Sequence, residues 1–127
     1  MPALPLSGIK VIDMTRVLAG PIAGQMLGDL GAEVIKIERP GTGDDSRAFG
    51  PPYMNDPEGG RHDNAFYLCA NRNKKSVTVN VATAEGQEII RELARTADVF
   101  LENYKVGDLK RYGLDYESIK AVNPRIV

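Results

Sequence analysis

The residues with the clearest chemistry fall in residues 11–39, VIDMTRVLAGPIAGQMLGDLGAEVIKIER. The pattern reads as strand, turn, helix and strand, and a basic residue, Arg39, follows the second strand. In an open α/β sheet the crevice at the strand ends receives phosphorylated ligands. A guanidinium suits a phosphate because it can donate two parallel hydrogen bonds to it. Glu38, just before Arg39, sits where dinucleotide-binding folds place the acid that holds ribose hydroxyls. The helix start GPIAG, residues 20–24, would offer free N–H groups to an anion, although Pro21 removes one of them. It lacks the G-x-G-x-x-G spacing, so neither a nicotinamide nor a flavin cofactor is expected.

A phosphate on an adenosine ribose, such as coenzyme A carries, would suit Arg39, which by position reads equally well as a solvated arginine after a strand. Three further groups could join it. NRNKK, residues 71–75, places three cations in five residues, and reads either as a solvated turn or as part of an anionic cofactor site. Asn103, Tyr104 and Arg111 bring an amide, a flat ring and a cation near another strand end, where adenine could stack, although a lone aromatic is more often a core residue. Asp44 and Asp45 are adjacent carboxylates suited to ordering a glycine-rich loop. His62 is the only histidine and lies in that loop, where an inert role is the simpler reading. There is no Ser-His-Asp arrangement and no pair of histidines, so no metal ligand is assigned.

These residues need elements to position them. Residues 9–14 form a strand candidate and residues 15–20 its loop. Pro21 opens a helix, since proline is tolerated in the first turn. Ile22, Met26, Leu27 and Leu30 recur along it at helical spacing, and Gly31 stops it. Residues 32–38 make a second strand, joined to the first by a right-handed parallel crossover. Residues 39–61 hold many glycines and prolines without an apolar period and read as a long loop, a length usually functional or disordered. Residues 66–68 lead into the basic run, and residues 76–80 alternate as a strand. Thr83 caps a helix whose face carries Ile89, Ile90, Leu93 and Ala97. Residues 98–103 form a third parallel-type strand. Two short helices follow, residues 106–112 and 116–122, with Gly113 between them. Asn123-Pro124 signals a turn, and residues 125–127 begin another buried strand, so a fragment of a longer chain is expected.

Composition narrows the class. The chain has 127 residues, enough for one domain. Its formal net charge of −1 points to no nucleic-acid partner. One cysteine, Cys69, excludes an internal disulfide and fits a reducing compartment. No run reaches the roughly 18–20 apolar residues of a membrane span, and residues 1–8 lack the features of a secretory signal. A cytoplasmic protein with no membrane partner is expected.

The succession VLAGP, GDLGAEVIKIERPGTGDDSR, NRNKKS, ADVFLENY and GL-Y-NPRIV resembles the N-terminal part of family III CoA-transferases, the formyl-CoA and carnitine CoA-transferase group. TRVLAGP and NRNKKS look most like the glutarate and dicarboxylate branch. The α-methylacyl-CoA racemase branch is the rival. Racemase-like sequences tend to carry APGP at residues 18–21 and GRGKRS at residues 71–76. A free-standing nucleotide-binding module is the alternative from another class.

The resemblance implies an α/β fold with a Rossmann-like parallel sheet and flanking helices. Residues 1–127 would be the N-terminal segment of its CoA-binding domain. It implies CoA contacts at Leu18, Ala19, Arg39, Val79, Asn80, Val81, Ala82, Asn103, Tyr104, Lys105 and Arg111. Leu18 stands where the formyl-CoA enzymes carry glutamine, and Ala82 where they carry lysine. The substrates implied are an acyl-CoA and a carboxylic acid, with no permanently bound cofactor. The implied assembly is an interlocked homodimer. The implied nucleophile is an aspartate beyond Val127, which attacks the acyl-CoA to give a mixed anhydride and then an aspartyl-CoA thioester.

Overall fold

Four short strands of alternating side chains build the sheet in a computed structural model that describes residues 3–54 and 63–127. They are β1 (Lys10–Asp13), β2 (Glu33–Glu38), β3 (Lys74–Thr78) and β4 (Val99–Leu101). All pair in parallel, in the order β3-β2-β1-β4. The helices are α1 (Ala19–Asp29), α2 (Ala65–Cys69), α3 (Ala84–Arg95) and α4 (Tyr116–Val122), with 3-10 turns at Asp45–Ala48 and Lys110–Tyr112. The chain grows outward from β1 through β2 to β3, then returns to add β4 on β1's other side. The crevice between the loops that leave β1 and β4 is therefore the topological switch point of the sheet.

The two faces of the sheet differ in chemistry. Ile12, Ile35 and Ile37 face α3 and α4 and pack with Ile90, Ala94, Leu114 and Ile119. On the α1 face, Val11 and Val34 form a small apolar cluster with Ala32, Leu27 and Val99. Towards the strand ends that face turns ionic. Asp13, Lys36 and Glu38 are all buried, Lys36 to 1% exposure. Lys36 Nζ lies 2.8 Å from the Asp44 carboxylate and donates to the Thr15 carbonyl at 2.9 Å. Lys74 Nζ donates to Asp13 Oδ2 (2.8 Å), Asn71 Oδ1 (3.0 Å) and the Pro21 carbonyl (2.7 Å), so three acceptors meet its three protons. Burial pushes Lys74's pKa down, and Asp13 opposes that.

Helix α1 fits over this ionic row because its inward face is small. Pro21, Gly24 and Gln25 are buried, while Ile22, Met26 and Leu30 are exposed. A Cβ on Gly24 would stand 2.6 Å from Asp13 Oδ2. The apolar spacing thus located the helix, but those side chains point away from the sheet. Helix α3 follows its Thr83 cap, whose Oγ1 accepts the Gly86 N–H at 3.1 Å. Ile90, Ala94 and Ala97 are buried, Leu93 is partly buried, and Ile89 is turned to solvent, a third of a turn from the packed stripe.

Several expected boundaries shift. The third strand in sequence begins at Lys74, because β2 offers pairing partners from Val34 to Glu38. Lys74 is therefore neither a solvated turn residue nor a ligand cation. The next strand is confined to Val99–Leu101. Residues 106–112 contain only the 3-10 turn Lys110–Tyr112, closed by Gly113 in a left-handed conformation. Helix α2 was not expected; the Asn64 side chain caps it by accepting the Tyr67 N–H at 2.8 Å. Part of the long loop is ordered by the Asp45–Ala48 turn, which Asp44 caps through Ser46 N–H. His62 lies outside the described residues. Residues 125–127 do not form the expected buried strand: Ile126 is buried, but Arg125 and Val127 are exposed, although Val127 exchanges backbone hydrogen bonds with Asp98 and Phe100 of the β4 segment.

Glu38 ties the loop after β2 to the sheet. Its carboxylate accepts from Arg47 Nε (2.7 Å) and Nη2 (2.8 Å), Tyr67 OH (2.8 Å), Ser76 Oγ (2.8 Å) and Asp44 N–H (2.9 Å). Arg47 also lies 3.7 Å above the Tyr67 ring. Burial alone would raise the Glu38 pKa, but these five donors outweigh it and hold the pKa at about 2. Burial and the Glu38 charge together push the Tyr67 phenol up.

Two outcomes follow for stability. Gly24→Ala should lower the unfolding free energy by about 1–3 kcal/mol, the usual cost of overpacking, read from urea denaturation. Glu38 titrates near 2 in the fold against 4.5 unfolded. Its contribution, on the order of 3 kcal/mol, is complete above the higher value and lost as pH falls through the lower one. Glu38→Gln should therefore flatten the loss of stability across that acid window, measured as thermal midpoint against pH. An acid limb as steep as the parent's would refute the assignment.

Candidate nucleotide-binding site

Three loops meet at the carboxyl ends of the strands. The first leaves β1. Asp13 fixes it at its base by accepting the Thr15 backbone N–H at 2.9 Å and the Thr15 hydroxyl. Val17 then adopts φ 75°, a left-handed conformation that is costly for a β-branched residue. The Val17 N–H is held by the Asp44 carboxylate at 3.1 and 3.3 Å. Burial would raise the Asp44 pKa, and Lys36 together with Ser46 holds it below the usual carboxylate range. The strained turn carries Leu18 and Ala19 into the start of α1, where both are exposed.

The second loop leaves β4. Asn103 accepts the Arg16 N–H at 3.0 Å and donates to the Arg16 carbonyl at 2.8 Å, so one amide joins the two loops across the switch point. Tyr104 places its ring 4.4 Å beneath the Arg16 guanidinium. Burial raises the Tyr104 pKa, and the positive charges of Arg16 and Arg39 work against it.

The third loop leaves β2. Gly43, at φ 68°, brings the chain back so closely that a Cβ there would lie 2.6 Å from Glu38 Oε2. Arg39, half-exposed, donates to the Asp45 carboxylate and reaches the Gly43 carbonyl at 3.5 Å. Arg16 Nη1 stands 3.8 Å from the same Asp45 carboxylate. Two arginines from different loops thus bracket one acid.

Clefts open around this pair. Arg16, Val17, Leu18, Ala19, Asp45 and Asn103 line one of about 320 Å³. A narrow crevice beside it is lined by Arg39, Val79, Val81 and Tyr104, again with Arg16. Leu18, Ala19, Arg39, Val79, Val81, Asn103 and Tyr104 are therefore brought to one edge of the sheet. Asn80, Ala82, Lys105 and Arg111 line neither cleft. Asn80 Oδ1 accepts the Ala82 N–H at 3.0 Å, in the turn that leads to α3. Arg111 lies 4.7 Å over the ring of Tyr112.

Glu38 does not have the role its position suggests in dinucleotide-binding folds. Five internal donors occupy its oxygens, and ribose hydroxyls would have to displace them. Sequence reasoning missed Arg16, which stands in both clefts. Its signal was its place beside a strand end in TRVLAGP, ahead of the residues taken from that motif. Asp45 was read as a loop-ordering acid, and it does bind two arginines. Among the described residues, no group of three or more His, Cys, Asp or Glu side chains could hold a metal. No described helix is long and apolar enough to cross a membrane.

Comparison with known proteins gives this edge of the sheet a context. The succinate–glutarate CoA-transferase of Agrobacterium fabrum is 52% identical over 123 residues, covering 97% of this chain and 31% of the relative. The human succinyl-CoA:glutarate CoA-transferase is 53% identical over 123 residues, covering 97% and 27%. A crystal structure of a CaiB/BaiF family protein from Brucella suis superposes with a TM-score of 0.93 at 48% identity, over 99% of this chain and 32% of that one. The chain thus spans about a third or less of the length of these proteins. The sequence model described as CoA-transferase family III matches residues 6–127, nearly the whole chain, and the chain belongs to that family.

Proposed function

We propose that this chain is the CoA-binding portion of an enzyme that moves CoA between an acyl-CoA and a carboxylic acid, with a dicarboxylate as the preferred acid. The observation that carries the reading is the identity of 52–53%, along 97% of the chain, with two enzymes named for glutarate CoA transfer. That likeness, and the LAGP and NRNKKS segments, support a transferase over a racemase.

In this reading the adenosine end of CoA lies along the carboxyl edge of the sheet. Arg39 meets the ribose 3′-phosphate through its guanidinium fork. Tyr104 and Arg16, already stacked on each other, offer planar surface to the adenine. Leu18 and Ala19, at the mouth of the larger cleft, flank the chain leading towards the thioester. The remaining expected contacts, Asn80, Ala82, Lys105 and Arg111, belong to the proposal on the strength of the family resemblance alone.

The chemistry is carried by an aspartate outside residues 1–127. Its carboxylate attacks the thioester carbonyl, the C–S bond breaks, and CoA thiolate leaves a mixed anhydride. The thiolate then attacks the aspartyl carbonyl of that anhydride, which releases the first acid and forms an aspartyl-CoA thioester. The acceptor carboxylate repeats the two steps in reverse and leaves as its own CoA thioester. We place the whole protein in the cytoplasm as an interlocked homodimer. The exposed stripe Leu18, Ile22, Met26 and Leu30 supports a covered α1 surface in the assembly. The exposed free thiol of Cys69 supports a reducing compartment.

Two measurements test the reading. In the full-length protein, Arg39→Ala should weaken CoA by about 1.5–3 kcal/mol, the scale of a hydrogen bond to a charged group. Dephospho-CoA should lose much less, by calorimetric titration. Equal losses for both ligands would remove Arg39 as the phosphate reader. Residues 1–127 alone should give no acyl exchange with succinyl-CoA and glutarate, because the nucleophile is missing. Turnover near the ordinary enzyme range of about 1 per second or more would sink the assignment of the nucleophile.

A further inference from the structure

We propose that Asp45 is an internal competitor for the phosphate site. It lies between Arg16 and Arg39, and an arriving phosphate displaces it. The proposal rests on the reading of Arg39 as a phosphate ligand.

The two adjacent aspartates of this loop are held very differently. Asp44 is buried and locked by Lys36, Ser46 and the Val17 N–H. Asp45 begins the 3-10 turn, remains 42% exposed at its side chain, and among the described residues pairs with the guanidinium ends of two arginines. Its carboxylate accepts from Arg39 Nη2 and stands 3.8 Å from Arg16 Nη1. A carboxylate and a phosphate ask for the same donors on a guanidinium. A phosphate monoester carrying about −1.5 to −2 charges would be repelled by Asp45 if both stayed, so one must leave.

Asp45 can leave at low cost. Its partners are half-exposed, and such pairs contribute little to stability. Its own side chain can turn to solvent without disturbing the Asp44 cap. Its presence lowers the positive charge of the pair, which otherwise would collect small free anions. A ligand bound elsewhere along the edge can supply the free energy to displace Asp45, whereas a free phosphate ion has only its own contacts to do so. Asp45 thereby sets specificity for a phosphate that arrives attached to a larger molecule.

The test uses the full-length protein with Asp45→Asn, Asp45→Ser and Asp45→Glu, titrated with CoA, dephospho-CoA and inorganic phosphate. Loss of the charge in the Asn and Ser variants should tighten CoA by about two- to tenfold, the release of one or two half-exposed ion pairs. Dephospho-CoA should be unchanged. Inorganic phosphate should compete with CoA at lower concentration than in the parent. Asp45→Glu, which keeps the charge, should behave like the parent. Unchanged or weaker CoA binding in both uncharged variants overturns the proposal and makes Asp45 a prop that orients Arg39. A parent protein that does not distinguish CoA from dephospho-CoA overturns the phosphate reading, and this inference with it. A parent that distinguishes them while the variants match it overturns this inference alone.

Discussion

Lys36 projects from the middle of β2 into a space that is 1% exposed, and a buried ammonium must find anions there. It finds Asp44 and the Thr15 carbonyl. Those two contacts fix the loop after β2 and the loop after β1 relative to the same strand. Asp44 in turn holds Val17 N–H, caps the Asp45–Ala48 turn, and gives its own N–H to Glu38. The geometry of Arg16, Leu18, Arg39 and Asp45 therefore depends on one ion pair sealed below them. Breaking such a pair on one side costs about 3–5 kcal/mol, because the remaining charge stays buried. That cost keeps the strained φ of Val17 in place.

A row of charges on a buried sheet face explains the shape of α1. An ordinary helix would pack Ile22, Met26 and Leu30 against the strands. Here the surface beneath offers Asp13 and the ammonium of Lys74, and large apolar groups would strip their partners away. Gly24 lets the helix backbone approach instead, and the Pro21 carbonyl completes the shell of Lys74. The apolar stripe is left facing outward. Polar satisfaction thus decides the rotation of the helix about its axis, where hydrophobic burial usually would.

This is also where the sequence was legible and where it was not. Strand–helix–strand order, the parallel crossover, the Thr83 cap and the helical stop at Gly31 follow from local rules that depend on a few neighbouring residues. The resemblance to the family rested on five motifs in order, and the match across residues 6–127 agrees with it. The buried charges were hidden. EVIKIE alternates so that Val34, Lys36 and Glu38 share one face, which by pattern alone reads as the solvent side of a sheet. In a parallel sheet covered on both sides that face is buried, and the polar residues survive there only because partners distant in sequence reach them. Lys74 and Asp13 are 61 residues apart, and Glu38 and Tyr67 are 29 apart. No local window contains both members. The same holds for Arg16, whose value lies in meeting Tyr104 and Asp45 from two other loops.

The fate of Glu38 shows how the carboxyl edge of a parallel sheet can change its chemistry without changing its topology. The strand order and the switch point are those of a dinucleotide-binding half. An acid stands at the end of β2, where such folds present one to ribose hydroxyls. In this chain the acid is turned inward and saturated by Arg47, Tyr67, Ser76 and the Asp44 N–H. It is a structural anion with a depressed pKa, not a hydrogen-bond acceptor open to a ligand. The groups left at this edge are then the next residue, Arg39, and Arg16 across the crevice, with the Asp45 carboxylate between them. The exposed surface offers two guanidinium donors bracketing the Asp45 carboxylate, where a dinucleotide site offers a free acceptor. A sugar hydroxyl can use either, but a phosphate can use only donors. The inward turn of Glu38 therefore does two things at once: it anchors the loop that carries Asp44 and Asp45, and it leaves the guanidinium of Arg39 as the charged group presented at the strand end.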